Sequence, residues 1–273
     1  MKKLLFVLIF FAALIAAAGF YLLKPKTLGI SYTPKDLEQI KQKVAVTFAP
    51  LPADQAVTKT IIVSGAHPVD QNFTSAELTA AVDNRHNDYA YFPFRNVQIR
   101  VNADGTVEGS GTINYQDAVN YLLTLGVSQK DITEGAAKYK IPNANLPVYL
   151  KASGAITNND SQINFNAASI ANIPVPEKLI KEFQPAVNAL IESVIKSRQP
   201  SYNIEKLEVV NGQVHFQGTA PDLAQEAKTS GNWVYPALSL FIFFPALIQL
   251  ISTPNFFAIL IVCSLEIYGS LSP

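Results

Sequence analysis

The residues best suited to chemistry lie in one polar stretch, Asp83–Asp88. Within it, Asp83, His86 and Asp88 could together bind a metal ion or transfer protons in a hydrolytic reaction. The same residue types are also typical of a helix end that leads into a solvated loop. In that second interpretation, the aromatic residues that follow, from Tyr89 to Phe94, enter the core. The composition of the stretch favours the helix end over an envelope hydrolase.

No other motif in the sequence is typical of an enzyme. The three histidines, His67, His86 and His215, are far apart and form no metal-binding spacing. The single cysteine, Cys263, excludes an intrachain disulfide and a cysteine-rich metal site. Glycine-rich phosphate loops and G-x-S-x-G elbows are absent from the sequence. We therefore expect no catalytic residue, no metal and no cofactor.

A second candidate site is an apolar stripe on the longest predicted helix, which follows Pro176. Such a stripe could line a cavity for a lipid chain, or it could be ordinary core. Both interpretations remain open at this point. Pro185 is expected to kink or split the helix. The stripe consists of Ile180, Phe183, Val187, Leu190, Ile191 and Val194.

Capping and stop signals predict four shorter helices before this one. The first follows the capping sequence Thr33–Asp36, which has a proline at the first helical position, and its apolar face is Leu37, Ile40 and Val44. The capping box Thr74–Glu77 starts a second helix that should run from Ser75 to about Asn84. The segment from Asp117 to Leu125 is predicted as a third, and Ser128 should open a fourth.

Three hairpins are predicted between the helices, with turns at 102–105, at 158–160 and at Asn211–Gly212. In the last hairpin, His215 should face Glu208 across the strands. Gly109 and Gly111 fall on an apolar strand face, where a close neighbour such as a helix is expected. The sum is an α+β fold, an antiparallel sheet of hairpins with a long amphipathic helix on one face.

Charge divides the chain into three parts. All of its 21 basic and 21 acidic residues except Lys2, Lys3 and Glu266 lie between Lys24 and Lys228, and the predicted domain covers residues 26–228. Because this domain has nearly balanced charge, it has no basic surface for nucleic acid. Its length is sufficient for a hydrophobic core without disulfides.

Both ends of the chain are apolar. Residues 1–25 contain twenty uncharged residues, Leu4–Leu23, which are long enough for a transmembrane helix. The Ala16–Gly19 segment also fits a cleavable signal peptide, and either interpretation exports the domain. Residues 229–273 are an apolar tail that suits a second membrane segment with aromatic flanks. A frameshift or read-through would explain the same break in composition.

Two segments carry a resemblance to known proteins, Phe73–Thr79 and Val97–Gly111. They resemble bacterial proteins in which one amino-terminal anchor holds an α+β domain outside the cytoplasm. The domain is also similar to tubular lipid-binding (TULIP-like) domains, which implies a long helix along a curled sheet and a lipid ligand. The shared motifs are caps and turns, so the resemblance assigns no functional residue.

The sequence thus predicts a non-enzymatic, membrane-anchored extracytoplasmic domain. Its expected partner is an envelope lipid or an envelope protein, and a lipid would contact Phe183, Val187, Leu190, Ile191 and Val194. A structural subunit of a membrane complex is the alternative.

Overall fold

The computed structural model of the chain describes residues 19, 21–51, 61–89, 91–124, 128–138 and 143–226. These residues form helices and a largely antiparallel sheet, so the predicted α+β class is confirmed. The helices are α1 (Pro34–Val44), α2 (Ser75–Asp88), α3 (Tyr115–Thr124), α4 (Gln129–Lys138) and α5 (Glu177–Ser197). The strands are β1 (Thr47–Pro50), β2 (Ile61–Ser64), β3 (His67–Phe73), β4 (Phe94–Val101), β5 (Thr106–Ile113), β6 (Leu146–Thr157), β7 (Asp160–Ile170), β8 (Ile173–Pro174), β9 (Asn203–Val210), β10 (Gln213–Ala220) and β11 (Leu223–Glu226).

The main sheet is built around β6. Its strand order is β3-β10-β9-β6-β5-β4, and every neighbouring pair is antiparallel. One edge of β6 pairs first with β5 and then, at Ile156, with Leu207 of β9. The other edge pairs with β7. Among the described strands, this order leaves the outer edges of β3 and β4 and most of the outer edge of β7 without a strand partner. A smaller sheet has the order β1-β11-β2.

The three predicted hairpins are confirmed. In the β9–β10 hairpin, Val209 lies opposite Val214 and Leu207 opposite Phe216, as the alternation of apolar residues predicts. Asn211 and Gly212 both have positive φ, at 51° and 73°. Such a turn has the twist that matches two antiparallel strands, which explains why this dipeptide joins them.

The expectation of a helix packed closely over Gly109 and Gly111 is wrong. A Cβ added to Gly109 would meet no atom within 4 Å. At Gly111 the crowding comes from the paired strand β4, whose register shifts between Arg95 and Gln98. The carbonyl oxygen of Arg95 would lie 3.1 Å from an added Cβ. The small residue therefore accommodates a bulge in the neighbouring strand, which sequence spacing does not reveal.

Capping signals locate the helix starts better than the helix ends. The predicted box is present at α2, where Thr74 Oγ1 accepts from the Glu77 amide and Glu77 accepts from the Thr74 amide. However, α2 continues to Asp88, one turn beyond the predicted end. Helix α3 starts two residues earlier than predicted, because Asn114 caps it by accepting from the Asp117 amide. Pro185 does not divide α5, which runs without interruption.

One hydrophobic core joins the helices to the main sheet. It contains residues of α1, α2, α3 and α5 together with the inward side chains of the main-sheet strands. Tyr121 of α3 and Ile191 of α5 are fully buried in it. Burying a side chain of this size stabilises the fold by about 1.5–3 kcal/mol relative to leaving it exposed.

Candidate functional site

The predicted acid and imidazole groups lie on the last turns of α2, and not in a loop. Asp83 accepts a hydrogen bond from the backbone amide of Val97 at 2.8 Å and another from the Tyr32 hydroxyl at 3.0 Å. Its carboxylate is thus occupied in holding α2 against β4. His86 follows one turn later and Asp88 is the last residue of the helix. Within the described part of the chain, no three histidine, cysteine or acidic residues are placed to share a metal ion.

Asp83 belongs to a ladder of polar side chains along α2. Three side chains at a spacing of four residues along α2 accept hydrogen bonds from the backbone amides of every second residue on the open edge of β4. Because four helical residues rise about 6 Å and two strand residues about 6.8 Å, the two spacings match. The bonds are Ser75 Oγ to the Val101 amide at 2.9 Å, Thr79 Oγ1 to the Ile99 amide at 2.9 Å, and Asp83 Oδ1 to the Val97 amide at 2.8 Å.

Helix α5 binds the open edge of β7 in the same way. Asn188 makes the central contact, because it accepts from the Ile163 amide at 3.2 Å and donates to the Ile163 carbonyl at 3.0 Å. Open strand edges invite pairing with other chains, and both ladders close such an edge. The outer two bonds are Gln184 Oε1 to the Phe165 amide at 3.1 Å and Glu192 Oε1 to the Ser161 amide at 3.0 Å.

The apolar stripe of α5 lies beside its ladder. Ile180, Val187, Ile191 and Val194 are buried, while Phe183 and Leu190 are half-buried. At about 100° of rotation per residue, Phe183 and Leu190 lie on the flank farthest from the ladder residues. Helix α5 is therefore hydrogen-bonded to the sheet along one flank, and its partly exposed apolar margin is on the other.

Arg85, in the same polar stretch as Asp83, forms a buried ion pair. Both guanidinium Nη atoms donate to the carboxylate of Glu226, one of them at 2.7 Å, and both side chains are only 2% exposed. The guanidinium also lies 4.9 Å from the ring centre of Tyr89. This pair fixes α2 to the smaller sheet. Sequence reasoning missed it because the partner is 141 residues away.

The end of the amino-terminal apolar run and the residues that follow it are bound to the domain. We call residues 21–30 the connecting segment. Asn172, in the turn between β7 and β8, donates to the carbonyls of Tyr21 at 2.7 Å and Lys24 at 2.8 Å. Leu22 packs against the core, and Leu28 is 4% exposed. The connecting segment therefore cannot act as a free linker.

The sheet face formed by β4, β5 and β6 holds the rest of the connecting segment. Ser110 donates to the carbonyl of Lys26, and the amide of Leu28 donates to Gln98 at 2.7 Å. The ammonium group of Lys26 lies 3.4 Å from the ring centre of Tyr149, a favourable cation–π position. The segment thus crosses three strands of the sheet.

Glu108 is the buried acid of this face. Burial by itself raises the pKa of Glu108, but hydrogen bonds from Tyr149, Arg100 and Asn102, with the charge of Arg100, lower it to about 2. Burial also raises the pKa of Tyr149, and the hydrogen bond that its hydroxyl donates to Glu108 raises it further. An acid that stays ionised and is fully hydrogen-bonded is suited to structure, and not to proton transfer at neutral pH.

The predicted register of His215 is confirmed, but its side chain is paired with a residue of another strand. His215 does lie opposite Glu208, but its Nε2 is 2.8 Å from Asp70 on the other neighbouring strand, β3. A strand inside a sheet has two neighbours, and the hairpin alone identifies only one. His67 is similarly paired, with Nδ1 at 2.8 Å from Asp222.

Most of the apolar amino-terminal run and all of residues 229–273 lie outside the described residues. None of the helices in the described part combines the length and the apolar character needed to cross a membrane. Comparison of the chain with protein-family models, with curated proteins and with solved structures finds no match to any of them.

Proposed function

We propose that this chain is a non-enzymatic domain that a membrane anchor holds outside the cytoplasm, and that it binds an envelope lipid beside α5. The anchor is the apolar run Leu4–Leu23, and the amphipathic α5 forms the wall of the lipid site. The observation that carries the lipid site is the one-sided attachment of α5. Its ladder holds the flank next to β7, while Phe183 and Leu190 remain half-buried on the other flank.

This arrangement suits a lipid chain because the exposed margin is continuous with the buried stripe. Leu190 already packs against the core, and Val187 and Ile191 lie deeper. An acyl chain entering beside Phe183 would remove apolar surface from water at about 25 cal/mol per Å². The ladder bonds would not have to break, because they are on the opposite flank.

The carboxylates support a binding role over a catalytic one. Asp83, Glu108 and Glu226 each accept at least two hydrogen bonds from named protein groups. A general base must reach a substrate proton, and these groups are directed at the protein itself.

Site-specific photo-crosslinking tests the lipid site. We would place benzoylphenylalanine at Phe183 or Leu190 in the full chain, reconstituted in phosphatidylethanolamine–phosphatidylglycerol vesicles. The matched controls are Glu182 and Ala189, each one residue earlier and exposed on the outer face of α5. We expect lipid adducts, measured by mass spectrometry, at the first two positions and not at the controls.

Equal labelling at all four positions, or none at any, would overturn the lipid site. When the same variants are photolysed in native membranes, adducts with a second protein at Phe183 and Leu190 would indicate instead that this flank binds an envelope protein.

A further inference from the structure

The connecting segment determines which end of the domain is next to the anchor. Asn172 holds the carbonyls of Tyr21 and Lys24. The turn that carries Asn172 is itself held at the start of β6, where the Ala171 amide donates to the Pro147 carbonyl at 2.7 Å. The end of the apolar run is therefore fastened beside the first residues of β6.

The strand register shows that the start of β6, the end of β5 and the start of β4 lie side by side at this end of the sheet. Leu146 of β6 pairs with Ile113 of β5, and Ile113 pairs with Phe94 of β4. We call this the anchor end. Helix α3 leaves β5 here, and the chain returns through α4 to the start of β6. The turn at 102–105 is at the opposite end of β4 and β5.

Exposed apolar side chains are concentrated at the anchor end. In the described part of the chain, four large hydrophobic residues are exposed, and two of them, Tyr21 at 70% and Leu23 at 45%, end the apolar run that is fastened here. Leu123, at 38%, is on α3, which lies at the anchor end because its Asp117 pairs with Arg95 at the start of β4 and its Tyr121 packs against Tyr89. The fourth, Val210, is beside the β9–β10 turn. Tyrosine and leucine are residues that enter the boundary between lipid headgroups and acyl chains.

We propose that the domain rests on the bilayer through its anchor end, with Leu123 of α3 inserted at the lipid surface. This inference rests on the proposed anchoring by Leu4–Leu23. The occupant of the surface is the bilayer itself, because the apolar run that enters it is fastened to the same end of the sheet. Strands β4 and β5 then lead away from the membrane.

The geometry gives a matched pair of positions for the test. Leu123 is at the lipid surface, and exposed Ala103 is in the turn at the far end of β4. The eight residues of β4 separate the two ends of the hairpin by roughly 24 Å at about 3.4 Å per residue. This separation is much greater than the depth of a lipid headgroup layer.

The experiment uses the full chain with Cys263→Ser, and with either Leu123→Cys or Ala103→Cys carrying an environment-sensitive fluorophore. The protein is reconstituted in phosphatidylcholine–phosphatidylglycerol vesicles, with or without a lipid that carries a shallow nitroxide quencher. We expect at least half of the fluorescence to be quenched at position 123 and almost none at 103. Salt should have little effect, because insertion of apolar side chains drives the contact.

Flotation of the vesicles separates the two ways in which this inference can fail. Protein that floats with the vesicles, but is quenched equally little at both positions, overturns the contact of the anchor end and leaves the anchor in place. Protein that does not float overturns the proposed anchoring, and the inference with it.

Discussion

Replacing Asn188 with alanine should release the middle of β7 from α5. The change removes the bonds to the amide and carbonyl of Ile163 and the bond from the Ser161 hydroxyl at 2.6 Å. At about 1 kcal/mol for each of the two backbone groups left without a protein partner, the loss is about 2 kcal/mol. Alanine returns about 0.5 kcal/mol through its higher helix propensity.

The net cost of about 1.5 kcal/mol corresponds to a change of about tenfold in an opening equilibrium. Hydrogen exchange of the full chain, followed by mass spectrometry of peptides that cover β7, measures this directly. We expect the amide of Ile163 to exchange about tenfold faster in Asn188→Ala than in the parent protein. The amides of β5, which α5 does not bind, should be unchanged.

Ser193→Ala is the matched control for this variant. Ser193 is on the exposed face of the same helix, so the control gains helix propensity and removes no bond to the strand. It should leave β7 as protected as in the parent, or slightly more so. Equal protection of β7 in Asn188→Ala and in the control would refute the account of the ladder.

Three further variants or conditions test other parts of the structure. Glu226→Gln should destabilise the protein by about 3–5 kcal/mol in urea unfolding, since it leaves a buried guanidinium without its counter-charge, whereas Glu205→Gln, a control at an exposed position, should hardly change the midpoint. Glu108 has its pKa lowered from 4.5 to about 2, so its ionised form stabilises the fold above pH 4.5, and this contribution is lost as the pH falls towards 2. Solvent near its partly exposed partner reduces the effect to about 1–2 kcal/mol, and Glu108→Gln should flatten this part of the stability–pH curve; a curve of unchanged slope would contradict the assignment. Gly154→Ala should lower the melting temperature, because φ is 121° and the new Cβ would overlap a carbonyl of the paired strand, while Gly109→Ala should not, because its Cβ meets open space.

Local signals predicted the elements of this fold well. Asn211 and Gly212 prefer positive φ, so one turn determines the register of β9 and β10. The capping box at Thr74 similarly fixes the start of α2. Both signals act between residues that are near in sequence, and single-sequence reasoning is suited to such contacts.

Contacts between distant residues could not be predicted in this way. The ladder on α5 is visible in retrospect as Gln184, Asn188 and Glu192 at a spacing of four, but nothing in the sequence assigns it to β7. The same limit applied to Asp83, whose partner amide belongs to a bulge of β4. Asp83, a candidate for catalysis in the sequence, holds α2 to the edge of β4.

The candidate site was only partly accessible to sequence reasoning. The period of the stripe identified the residues of α5, but did not distinguish its buried part from its margin. Val187 and Ile191 are in the core, while Phe183 and Leu190 are half-buried. This difference depends on which flank of α5 meets β7, and therefore on the ladder.

The most direct test of the account is mass spectrometry of the lipids that accompany the protein. The full chain would be extracted from membranes in mild detergent, exchanged extensively into fresh detergent and then treated with organic solvent. We expect one lipid class in stoichiometric amount, and its loss when Phe183 and Leu190 are both changed to aspartate while the fold is retained. An extract without any enriched lipid, from protein that is folded, would contradict the lipid-binding function.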